Sequence, residues 1–499
     1  MLRVFCFLVL VAAAALLSSA RAATDRYVVL VSDLHFGIGR SGGDWDPYED
    51  FRWPKALEGF LNRISADGNK KVDLVIVGDF LELWQRPKDL ECKGTKDAGC
   101  TEAEVSKLVA RIVSAHADAL QSLRSFAADG DNHLYVVPGN HDAALLLPSV
   151  WKQIADKLGE GEGRATLVAR GLWVSQDKLV IAEHGHQIGS DVNRFADWPV
   201  VAVDGVLQRP WGELLVQSIF NKEEQRYPVI DNIIPESAGV KFRIADRGVV
   251  KSAGDVARFL AFNVLQTSFA QKMQALSADG GQSDSRPFDP AQAIANSDQL
   301  LLATLEPDDP MRPLLETNDP RASEIRQQWK STLQGLPKED VQAICDAARV
   351  VSNSNPCGTS LSAAAQAAAA KLLPKDTFMK AHLAKRRDEF GDFSVFVSGH
   401  THEAEVERLV GLPSGGAVIV VNTGAFQRLT TKGGFEKRAT EHHWSKVAAL
   451  RKMRPEHLAP CYGAVIIEPA DTPEPHLLMW KMEETSVGQW YSPGSSECE

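Results

Sequence analysis

Four short aliphatic runs punctuate the first 190 positions: 27–31 (YVVLV), 72–77 (VDLVIV), 134–137 (LYVV) and 179–182 (LVIA). They are nearly continuous rather than alternating, the pattern of strands covered on both faces. Between them, apolar residues recur every three or four positions over 53–66 and 101–128, which predicts amphipathic helices. Strand and helix in repetition predict an α/β fold with a largely parallel sheet.

From about 190 to 389 helical periodicity dominates, broken by polar loops at 277–290 and 305–313. The alanine-rich stretch 360–374 predicts a helix stopped by Pro374. Strand-like runs return at 394–397, 417–421, 464–467 and 477–481, and are expected to rejoin the sheet begun at the N-terminus. The expected organisation is an α/β domain built from 23–189 and 391–499, with 190–390 as a mainly helical insertion or cap. Residues 1–22 read as a signal peptide: Arg3, an apolar stretch over 4–17, then Ala20-Arg21-Ala22. The apolar stretch is short for a span. The expected location is secreted or periplasmic, with no integral membrane anchor after cleavage.

Composition changes this picture little. With 44% apolar and 24% charged residues in 499, the chain is an ordinary globular one, not a disordered one. A net charge of −11 argues against a basic nucleic-acid surface, so an anionic substrate has to be met by a local device such as metal ions. Of seven cysteines, Cys6 leaves with the signal. The remaining six are expected to pair in sequential order, Cys92–Cys100, Cys345–Cys357 and Cys461–Cys498, because short loops close most easily. No Cys-x-x-Cys pair is present to build a zinc site.

The chemistry gathers where apolar runs end. Asp33 and His35 follow the first run, Asp79 the second, and Asn140, His141 and Asp142 the third. His184 and His186 follow the fourth, and His400 and His402 the run at 394–397. Strand C-termini of a parallel sheet share one edge, so these tips can converge. Asp, His and Asn without sulfur suit Mn²⁺, Fe, Zn²⁺ or Mg²⁺. Seven ligands exceed what one tetrahedral ion takes. Two divalent ions sharing a carboxylate fit better, the usual arrangement for phosphoryl displacement.

The series Asp33-x-His35, Gly78-Asp79, Gly139-Asn140-His141-Asp142, His184-Gly185 and Gly399-His400-Thr401-His402 resembles the calcineurin-like metallophosphoesterases. That resemblance implies a four-layer β-sandwich flanked by helices, enclosing a dinuclear centre with manganese the favoured metal. One ion would be held by Asp33, His35, Asp79 and His402, the other by Asp79, Asn140, His184 and His400. A hydroxide bridging the ions would attack phosphate mono- or diesters. His141 would protonate the leaving oxygen and Asp142 would orient it, with Asn140 also near the substrate. "SDLHFG" and "GDFLELW" look nearest the UDP-diacylglucosamine pyrophosphatase-like branch, although this chain has His141 where that branch commonly has arginine.

Beyond the motifs, Asn193 and Arg194 are expected to bind the non-reacting part of the ester and His186 to support a ligand, while Trp45 and Trp84 are expected in core or rim packing rather than lining the mouth. The insertion follows the His184 tip and is expected to overhang it. The expected partner is a small-molecule phosphoester. The rivals are a pyrophosphatase acting on a nucleotide- or lipid-linked substrate and a metal-bearing protein without turnover.

Overall fold

The computed structural model describes residues 25–234, 289–303, 320–335 and 376–499 apart from short gaps, with isolated residues between those stretches. The expected signal peptide and the alanine-rich helix at 360–374 lie outside the described residues.

The fold is mixed α/β, organised by two large sheets. In the first, β1 (Tyr27–Val31), β2 (Val72–Val77), β3 (His133–Val137) and β4 (Ala165–Leu167) run parallel. In the second, β6 (Val180–Ala182), β7 (Val395–Ser398) and β9 (Ala417–Asn422) run parallel. Its antiparallel edges are β5 (Trp173–Val174) and β8 (Glu405–Val410). Three C-terminal strands, β10 (Cys461–Ile467), β11 (Pro475–Lys481) and β12 (Gln489–Tyr491), extend the first sheet antiparallel beyond β1.

The alternate faces of these strands explain the layering. Val28, Leu30, Val75, Val77 and Val137 of the first sheet share one buried cluster with Val180, Ala182, Val395, Val397 and Val421 of the second. The two sheets therefore pack face to face. The opposite face of the first sheet, Val29, Val31, Leu74, Ile76 and Val136, packs with α1 (Pro54–Asp67), α2 (Glu102–Ala115), α3 (Ala117–Ala128) and α4 (Pro148–Leu158). The outer face of the second sheet, Ile181, Phe396 and Val418, meets Leu383 of the helix Asp376–Phe390. Strands covered on both sides need no polar face, which is why their sequences read as continuous apolar runs.

Three expectations change. The runs at 394–397 and 417–421 join β6 in the second sheet, and only the last two C-terminal runs pair into the sheet of β1. Sequence periodicity cannot say which of two sheets a buried strand enters. The single helix expected over 101–128 is two, broken at His116. Its Nε2 bonds Gly37 O at 3.0 Å and Glu49 Oε2 at 3.1 Å, and its ring stacks on Phe36, so a tertiary anchor overrides the helical pattern. β8 (EVERLV) was not foreseen; its charges belong to an exposed edge. The three cysteine pairs form as expected: Cys92–Cys100, Cys345–Cys357 and Cys461–Cys498. Among the described residues, no helix is long and apolar enough to cross a membrane.

Leu30 is fully buried between the sheets. Leu30→Ala is expected to destabilise the domain by about 2–5 kcal/mol, read as a lower urea midpoint; an unchanged midpoint would mean the sheets do not depend on this contact.

Candidate metal centre

At one edge of the two sheets the parallel strands hand over to tight turns. The segments after β1 and β2 stay paired: the amides of Asp33 and His35 donate to the carbonyls of Gly78 and Asp79 at 3.1 and 3.0 Å. Across the two core strands of the second sheet, the Gly399 amide donates to His184 O at 3.0 Å. The turns are strained. Of ten non-glycine residues at positive φ among those described, five are Asp33, His35, Asp79, His400 and His402. Such backbone costs about 1–3 kcal/mol per residue and persists where the surroundings impose it, typically at functional sites. Glycine is required where the turns crowd together: a Cβ on Gly78, itself at φ +88°, would overlap the His184 ring, and one on Gly399 would overlap Ser32 and Asp33.

The seven expected ligands converge. Asp33 Oδ1 lies 3.3 Å from His402 Nε2, 3.8 Å from His35 Nε2 and 4.0 Å from His184 Nε2. Asp79 Oδ2 lies 3.0 Å from His184 Nε2 and 3.7 Å from His35 Nε2. Asn140 Oδ1 is 3.0 Å from His184 Nε2. Three groups with ligand spacing emerge among the described residues, Asp33–His35–His402, Asp79–His184–His400 and His35–Glu82–His141; the first two consist of expected ligands. Asp79 Oδ2 sits between them, close to His35 of one and His184 of the other. Its Oδ1 instead accepts the His141 amide at 2.9 Å, so Asp79 presents one oxygen to the cluster rather than two.

The donor set suits cations. Asp33, His35, Asp79, Asn140 and His184 are buried, and Asp33 Oδ1 and His35 Nε2 have no hydrogen-bond partner. Leaving such atoms unmet costs about 1–3 kcal/mol each. The ring tautomers are set from behind. His184 Nδ1 bonds Val77 O at 2.9 Å and His35 Nδ1 bonds Glu82 Oε2 at 2.9 Å, so both turn Nε2 to the centre. Burial opposes the charge on Asp33, yet His402 and His184 hold its carboxyl well below the ordinary range. Burial likewise opposes the charge on His184, but Asp79 and Asp33 raise it to about 9.

Glu82 is the residue the motifs did not announce. It is buried, its Oε2 bonds His35 Nδ1 and also His141 Nδ1 at 2.7 Å, and its Oε1 accepts the Trp84 and Gln85 amides at 2.7 and 2.8 Å. The signal was present, a glutamate inside the apolar run FLELW. Among the described bonds, His141 is held by Glu82 and not by Asp142, the residue expected to orient it. Among the described bonds Asp142 takes the amides of Gly139, Phe80 and Leu81 at 2.6, 2.8 and 3.2 Å, a brace for the turn. Burial, reinforced by Asp79, pushes Asp142 up to about 7.

The peripheral expectations divide. Asn193 Nδ2 lies 3.4 Å from His400 Nε2 at the edge of the cluster. Arg194 is exposed and has no described bond to the ligands. His186 is buried against Trp198, with ring centroids 4.5 Å apart, and makes no hydrogen bond that would support a ligand. Trp84 stacks on His141, centroids 4.1 Å apart, whereas Trp45 lies under Arg40.

Two outcomes follow. Glu82→Gln should weaken divalent-ion binding by roughly 10- to 100-fold, measured by chelator competition; unchanged affinity would remove Glu82 from the site. His184 without an ion keeps its proton up to about pH 9, and an ion must displace it. Apparent affinity should therefore fall with falling pH, by about tenfold per unit for each proton displaced, in titrations at pH 6, 7 and 8.

No protein-family model matches the chain, and no curated protein matches it either. The bearing of this cluster on function therefore rests on its geometry and on the motif series in the sequence.

Proposed function

We propose that the protein is a dinuclear-metal phosphoesterase of the calcineurin-like type, hydrolysing phosphate mono- or diesters outside the cytoplasm. The observation that carries this reading is Asp33 Oδ1, a buried carboxylate oxygen without a hydrogen-bond partner, encircled by three imidazole Nε2 atoms. Two packed sheets with helices outside them support the layering that the motif resemblance implies. The division of ligands that the resemblance implies follows two of the three observed groups, and adds Asp79, which stands with His184 and His400, to the first group as well.

Asp33, His35, Asp79 and His402 would hold one ion; Asp79, Asn140, His184 and His400 the other. When bound, divalent ions supply charge neutralisation for phosphoryl oxygens and acidify water. The protein's own residues do the rest. Glu82 holds His141 by Nδ1 and Trp84 supports the ring from one face, so Nε2 is the atom that delivers a proton. In hydrolysis a water oxygen bonds to phosphorus, the bond from phosphorus to the leaving oxygen breaks, and His141 protonates that oxygen. His141 then recovers a proton from solvent. Asn193, beside His400, is positioned to meet a phosphoryl oxygen.

Purified protein should carry divalent metal by elemental analysis. It should hydrolyse p-nitrophenyl phosphate or its bis-ester in a reaction that EDTA stops and Mn²⁺ restores. Metal-loaded protein inert toward a broad phosphoester panel would leave a metal-bearing protein without turnover. His141→Ala should lower kcat roughly 10²- to 10⁴-fold on alkyl phosphates, and less on p-nitrophenyl phosphate, whose leaving group hardly needs a proton. Equal losses on both would take the acid role away from His141.

A further inference from the structure

β9 ends beside β7 in Asn422-Thr423-Gly424, a turn that carries none of the expected ligands. It nonetheless touches both sheets where the ligands gather. The Thr423 amide donates to Ser398 O at 2.8 Å, continuing the β7–β9 ladder. Asn422 Nδ2 donates to Gly399 O at 2.6 Å and to Thr401 Oγ1 at 3.1 Å, and its Oδ1 accepts the Gly424 amide at 2.9 Å. The turn that bears His400 and His402 is therefore held from the neighbouring strand. Towards the other sheet, the Phe426 amide donates at 2.9 Å to the carbonyl of Ser32, the residue that follows β1.

Ser32 and Thr423 are fully buried, and their hydroxyl oxygens lie 2.5 Å apart. Ser32 Oγ also bonds Asp33 Oδ2. A carboxylate oxygen only accepts, so the single hydroxyl proton of Ser32 goes to Asp33. The contact between the hydroxyls then needs the Thr423 proton, whose other acceptors, the carbonyls of Ser398 and Gly424, stand farther off at 3.3 and 3.4 Å. Donation thus runs one way, from Thr423 to Ser32 and from Ser32 to Asp33, and each bond in such a chain strengthens the next. With the His400 amide at 3.1 Å, Asp33 Oδ2 has two donors. Oδ1, which faces three imidazole Nε2 atoms, has no hydrogen-bond partner.

We propose that Thr423 is a positioning residue of the metal centre: through Ser32 it saturates one oxygen of Asp33 and so reserves the other for the ions. The inference rests on the metal-centre reading and is independent of which ester is hydrolysed. Without the Thr423 hydroxyl, Ser32 loses its donor, and its own proton can turn to the Gly424 carbonyl, 3.2 Å away. Asp33 Oδ2 then keeps the His400 amide alone, and the carboxylate is free to rotate away from the imidazoles. Partners behind a ligand act in this way on metal affinity, by fixing the ligand's orientation before the ion arrives.

The test measures Mn²⁺ affinity by chelator competition, with no substrate present, on wild type, Ser32→Ala, Thr423→Ala, Thr423→Ser and the double variant of Ser32→Ala with Thr423→Ala. Ser32→Ala is expected to weaken binding roughly 10- to 100-fold, and Thr423→Ala about tenfold. Thr423→Ser loses the same methyl as Thr423→Ala but keeps the hydroxyl, and is expected to stay within about threefold of wild type. Because the two hydroxyls act in series, adding Thr423→Ala to Ser32→Ala is expected to cost no more than about twofold further. Equal affinity in Thr423→Ala and Thr423→Ser, or losses that multiply in the double variant, would overturn the inference, since a contact that only stabilises the fold gives those results. If the double variant does not fold, the comparison of Thr423→Ala with Thr423→Ser decides. Wild-type protein that takes up no Mn²⁺ overturns the metal-centre reading, and this inference with it.

Discussion

A carboxylate oxygen with no hydrogen-bond donor, enclosed by imidazoles at the edge of two packed sheets, is the constraint around which this protein is arranged. Asp33 Oδ1 has neither water-facing surface nor a hydrogen-bond partner, while Asp33 Oδ2 takes the His400 amide at 3.1 Å. Burying an ionised group without compensation is unfavourable by several kcal/mol. Here the compensation has to come from the side of Oδ1, where the three Nε2 atoms face it. Protonated histidines would supply it in part, and a metal ion would supply it more completely because it would also satisfy the ring nitrogens. The positive-φ turns fall on this same group: Asp33, His35, Asp79, His400 and His402 leave neighbouring strand ends in left-handed backbone and converge there.

Much of this arrangement was legible in the chain. A continuous apolar run followed by Asp-x-His or Gly-Asp states both that a strand is buried on two faces and that it ends in donors. For β1, β2, β6 and β7 those statements agree with the positions at which the strands and ligands stand. What the runs could not state is partnership. Nothing in VFVS or VIVVN separates a strand of the first sheet from one of the second, because inter-sheet and intra-sheet neighbours demand the same residue types. His116 shows the local counterpart: a helix-compatible sequence is broken by bonds to Gly37 and Glu49, residues distant in the chain. Glu82 was missed for a related reason, since a single charge in FLELW reads as a solvent-facing residue until the two imidazoles on its oxygen are seen.

The second sheet is also tied to the chain that precedes β7. Glu183, one residue before His184, is buried and accepts from Arg386 Nε and Nη2 at 3.0 and 2.8 Å and from His382 Nε2. Both donors stand on the helix Asp376–Phe390, which leads directly into β7. The two strand ends that carry His184 and His400 are therefore held by one buried ion-pair group as well as by the β6–β7 ladder. A long excursion of the chain between these strands does not loosen the site, because its last helix is bolted to the residue beside a ligand.

Glu82 joins two imidazoles that the motif series treats separately. Its Oε2 is shared by His35, whose Nε2 faces the cluster, and by His141, whose ring stacks on Trp84. Its Oε1 is taken up by the Trp84 and Gln85 amides, so the backbone that carries Trp84 also fixes the carboxylate on which both rings hang. One buried carboxylate therefore sets the orientation of His35 and of His141 together, and neither ring can be re-aimed without disturbing the other.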